Sequence, residues 1–126
     1  MERLSLKETL IDGLSIAIIT SFILNLIRIA IEWLMTWEFQ AINIFTVSIW
    51  SIIASISGAL LVFVLSRLFI RYVWRFNLIF FLAFVIAIAT LLFGEYSRDY
   101  KIFLAIILII GTWLIQSLFT RLYRLN

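Results

Sequence analysis

The chain of 126 residues is 65% hydrophobic and 13% charged, with a formal net charge of +3. A soluble domain of this length needs about a quarter of its residues charged to clothe its surface, so the composition excludes a soluble globular protein. The sequence has no Cys, His or Pro, which removes disulfides, thiolate nucleophiles, the usual zinc and haem ligands and the commonest general base.

Four apolar runs follow one another, at about 13–36, 46–66, 76–93 and 102–120. Each approaches the roughly 17–25 residues a helix needs to cross the hydrocarbon core. Lipid offers unpaired backbone groups no partner, so helices are required. The expected fold is all-α, a four-helix transmembrane bundle forming one domain over 1–126.

The first run is preceded by "SLKE" at 5–8, a capping-box pattern in which Ser5 and Glu8 satisfy each other's backbone amides. Inside the run, "LNLIRIAIEW" carries Asn25, Arg28 and Glu32. Their spacing stacks them on one helical face, and Arg28 and Glu32 can pair across i,i+4. With the span ending near Trp37, Glu32 lies about 7 Å and Arg28 about 13 Å below its outer end, at ~1.5 Å per residue. The reading preferred here is a polar packing stripe that satisfies its own groups against a neighbouring helix. The alternative makes Glu32 a proton-coupled carboxylate of a small homodimeric transporter, with Arg28 as its counter-charge.

The second run repeats small residues at Ser51, Ser55 and Ala59, with Ala54 and Gly58 on the adjoining row. Such faces let helices approach closely in lipid. The third run offers Ala83 and Ala87, the fourth Ala105, Gly111 and Thr112, and the expected tight hairpin is between spans two and three. Gly94 suits a left-handed end to the third helix.

Between spans two and three, "RLFIRYVWRF" sets Arg67, Arg71 and Arg75 at i, i+4 and i+8, one face if the second helix continues. At a bilayer surface these meet anionic lipid phosphates, or a docking partner, and no nucleic acid is expected. Seven Lys/Arg (Arg3, Lys7, Arg67, Arg71, Arg75, Arg121, Arg124) fall on one side and two (Arg98, Lys101) on the other, which places both termini in the cytoplasm. Trp33, Trp37, Phe39 and Tyr96 then mark the outer interface, with Tyr72, Trp74 and Tyr123 at the inner one.

The opening "RLSLKETLIDGLSIAIITSFILNLI", the small-residue "SIIASISGALLVFVLSRL", the basic linker and "RFNLIFFLAFVIAIATLLF" together resemble an uncharacterised family of small bacterial four-span membrane proteins. That family often carries a histidine in its fourth span, where this chain reads "IIGTWLIQS". The resemblance implies the four-span fold and the bacterial inner membrane, and it implies no activity.

Function follows from what is present. The expectation is a non-catalytic, accessory or structural subunit that packs on other integral membrane proteins, of the respiratory or photosynthetic kind, with lipids around it. Pigment or quinone contact through Phe and Trp faces stays open, with Asn25, Asn77 and Gln116 the side chains left to ligate a pigment's metal. A lipid-binding membrane protein is the further alternative. No metal site is expected.

Overall fold

A computed structural model describes residues 5–36, 39 and 42–123. It contains four helices: α1 (Leu6–Met35), α2 (Ile44–Leu68), α3 (Tyr72–Phe93) and α4 (Arg98–Tyr123). All four are long and apolar enough to span a membrane, and α1, at 30 residues, is about 45 Å long, well beyond a ~30 Å hydrocarbon core. It therefore begins seven residues before the apolar run that marks it in the sequence.

The helix ends show how local chemistry sets these limits. Ser5 accepts a hydrogen bond from the Glu8 amide at 3.1 Å, which is half of the expected capping box. A complete box starts α2 instead, where the Asn43 side chain accepts from the Phe45 and Thr46 amides and Thr46 Oγ1 accepts from the Asn43 amide. Gly94 ends α3 in extended backbone, φ −74°, not in the left-handed region. A Cβ there would lie 2.5 Å from the ring of the exposed Tyr96 and 3.2 Å from the Thr90 carbonyl. The left-handed cap falls at Thr36, φ 53°, after α1.

Consecutive helices run antiparallel around a ring. Gly13 faces Ala59 while Ser21 faces Ser48, and Asp12 meets Tyr123. The α1–α2 interface is the most extensive, α2 also touches α4 across the ring, and among the described residues α1 and α3 do not touch. The tight hairpin is thus α1–α2 rather than the expected α2–α3. Gly13 explains the preference, since a Cβ there would sit 2.6 Å from Ala59 Cβ and 3.2 Å from the Ser55 carbonyl. Ser51, Ser55 and Ala59 are all fully buried.

Two apolar clusters fill the interior. One joins Ile16, Ala59, Val62, Phe76, Ile115, Phe119 and Tyr123, and the other joins Leu24, Ile42, Val47, Phe103 and Ile107. In the first, Phe76 and Phe119 meet edge-on with centroids 5.2 Å apart. Gly58 makes room for Phe119, whose ring would lie 3.0 Å from an added Cβ. Because lipid is as apolar as these side chains, this close packing, rather than escape from water, holds the helices together.

Candidate functional site

A continuous polar chain runs along the α1–α2 seam. Ser21 and Ser48 are joined through their hydroxyls at 3.0 Å, with Ser21 as donor. The Asn25 amide donates to the Ser21 carbonyl at 2.9 Å and to Ser48 Oγ at 3.2 Å. Asn25 Oδ1 in turn accepts from Arg28 Nε at 3.2 Å, and Arg28 Nη1 reaches both Glu32 oxygens at 3.0 Å. Helical spacing creates this order: Ser21, Asn25, Arg28 and Glu32 sit three or four residues apart on one face.

The Arg28 side chain is 11% exposed and that of Glu32 27%. Hydrocarbon is costly for an isolated charge, and the pairing removes the net charge while Asn25 takes a third guanidinium contact. Asn25, Arg28 and Glu32 are thus brought together as the sequence suggests. Ser21 and Ser48, which complete the chain, escaped sequence reading because serines one turn from an asparagine look like ordinary small packing residues.

Beside this chain, α1 and α2 leave a cleft of about 350 Å³, lined by Leu14, Ala17, Ile18, Ser21, Phe22, Asn25, Ile44, Ser48 and Ile52. On the other side of α2, a second cavity of about 200 Å³ lies between α2, α3 and α4. Its walls are Trp50, Ala54, Ser57, Phe80, Ala83, Phe84, Ala87, Leu108 and Thr112. Ala83 and Ala87 are exposed, so the small row of α3 borders this opening instead of closing on α2.

A further polar knot joins α3 to α4. The Asn77 amide donates to Thr120 Oγ1 at 3.1 Å, and Gln116 Nε2 donates to the Asn77 carbonyl at 2.9 Å. Asn77 and Gln116 therefore spend their amides on helix contact. At the same end of the bundle Tyr123 donates to Asp12 Oδ2 at 2.6 Å, tying α4 to the start of α1.

The three arginines do not share a helical face, which corrects the i, i+4, i+8 reading. The chain leaves helix at Phe69, in extended backbone, and re-enters it at Tyr72; no Gly or Pro announces the break. Arg67 ends α2, Arg71 caps α3 and Arg75 lies in the first turn of α3, so they gather at one end of the bundle. Arg67 lies 4.9 Å over the Phe63 ring, and Arg75 lies 4.0 Å over Phe69 and 4.7 Å over Trp74.

Arg3, Trp37 and Arg124 lie outside the described residues. Among the described residues, no group of three or more acidic side chains is placed to hold a metal ion. No protein-family model, curated protein or solved structure matches the chain.

Proposed function

We propose that the protein is a non-catalytic accessory subunit of a larger membrane assembly, held in a bacterial cytoplasmic membrane with both termini inside, and that α3 is its docking helix. The observation that carries this reading is the uneven cover of α3. Only Tyr72, Phe76 and Leu91 are buried along it, all near its ends. Between them Leu78, Ile79, Leu82, Val85 and Ile86 face outward, beside the exposed Ala83 and Ala87. Small residues four apart on an open face admit a neighbouring helix at close range, and lipid alone has no need of them. The pairing of Arg28 with Glu32 also suits a structural role, because a pair bound to itself carries no ion.

The test is mild-detergent extraction from native membranes, followed by size separation. The wild type co-migrates with a larger membrane protein, and the A83W/A87W double variant is released from it while still folding. Migration as a lone monomer or dimer, or co-migration indifferent to the double variant, contradicts the reading.

A second reading rests on the depth of the polar chain, which extends from Glu32 to Ser21 near the midpoint of α1. In it Glu32 takes up and releases a proton in a homodimeric transporter. Glu32→Gln then abolishes proton-coupled transport in reconstituted vesicles, whereas in the accessory reading it changes only stability and assembly.

A further inference from the structure

We propose that the cleft between α1 and α2 binds an uncharged, carbonyl-bearing membrane lipid of the quinone class, whose oxygen accepts a hydrogen bond from the Ser21–Ser48 hydroxyl pair. Hydrogen-bond counting points to the acceptor. Ser48 Oγ receives Ser21's proton and one from Asn25, and its own proton has no acceptor among the described residues. Ser15, Ser51 and Thr90 each spend their proton on a carbonyl four residues earlier in their own helix, and the buried Thr20 and Ser55 hydroxyls, without a partner among the described residues, do not line the cleft. Ser21 and Ser48 have no such carbonyl bond among the described residues, and both line the cleft.

Charge and size narrow the occupant. None of the described residues lining the cleft is charged, and Arg28 and Glu32, just beyond Asn25, pair with each other, so the described lining offers a phosphate head no free cation. The remaining lining is apolar, with Phe22, 66% exposed, at the rim, where its face can meet a flat ring by offset or edge contact. A volume of about 350 Å³ lies in the usual range for small-ligand sites. Ser21 stands 14 residues before the end of α1 at Met35, about 21 Å along the axis. Such a depth favours a head without phosphate or free hydroxyl over a glycerolipid, whose polar head stays at the interface. This site does not rest on the α3 docking reading, since α1 and α3 occupy opposite corners of the ring.

The experiment titrates the purified full chain in mild detergent with a decyl-substituted benzoquinone, reading retention by equilibrium dialysis and stability by thermal unfolding. Wild type shows a single saturable site and a raised melting temperature. The S21A/S48A variant binds roughly three- to tenfold more weakly, as expected for the loss of one hydrogen bond. Because that variant also loosens Asn25, a second one keeps the test decisive. Ile18 is 63% exposed on the cleft rim, so I18W fills the cleft without disturbing the interior and removes saturable binding. Ser15→Ala, outside the cleft, binds as wild type does. Binding that never saturates, or that both S21A/S48A and I18W leave unchanged, overturns the proposal. So does displacement of the probe by equimolar dioleoylglycerol or dioleoylphosphatidylglycerol.

Discussion

Arg28 shows how one residue's cost is met within its own helix. Its guanidinium is held by both Glu32 oxygens and by Asn25, and Asn25 is anchored across the seam by Ser48. Removing one partner leaves the other charge in a poorly solvated place, which costs about 3 kcal/mol when the pair is buried, while replacing both with apolar side chains is often neutral. Glu32→Gln should therefore lower stability in detergent by about 2–4 kcal/mol, and the R28M/E32L double variant should return to within about 1 kcal/mol of wild type. Thermal unfolding of the set checks this. A single variant as stable as wild type would show that the pair is solvated and makes no demand on the fold.

At the scale of the helix, close approach along α1–α2 depends on what is missing from the side chains. Gly13→Ala places a methyl group within 2.6 Å of Ala59 Cβ and 3.2 Å of a backbone carbonyl, neither of which is the flexible tip of a side chain. The helices must part, and overpacking of this kind costs about 1–3 kcal/mol. The melting temperature of Gly13→Ala falls, and the companion Ala59→Gly, which reopens the space, restores part of the loss; an unchanged melting temperature for Gly13→Ala would contradict the packing. The four helices were legible in the sequence because hydrocarbon demands long apolar runs, and the Arg28–Glu32 pair because helical spacing is fixed. Partner choice was harder to read. Ser51, Ser55 and Ala59 announce a close contact without naming the facing helix, and that is settled by Gly13, a lone glycine at the very start of the first apolar run. The break at Phe69–Arg71 was invisible for a similar reason, since no residue there forbids helix. The Ser21–Ser48 link depends on the register between two helices, which neither run encodes alone.

For the whole molecule, the ring of helices separates two faces. The α1–α2 seam carries the polar chain and the larger cleft, while α3, across the ring, offers an apolar face whose middle is left uncovered. Arg67, Arg71 and Arg75 gather at one end of the bundle, and a contact with anionic lipid there, as proposed from the sequence, would be worth about 1 kcal/mol per arginine. The two proposals place assembly at one corner and small-molecule contact at the opposite one. The most direct test of the docking claim is photo-crosslinking in native membranes from a single reactive side chain at Ile86 on α3, compared with one at Ile19 on α1, both exposed on the bundle's surface. The account predicts one discrete, higher-mass protein adduct from Ile86 and only lipid adducts from Ile19. Lipid adducts alone from both positions, or the same protein adduct from each, would contradict it.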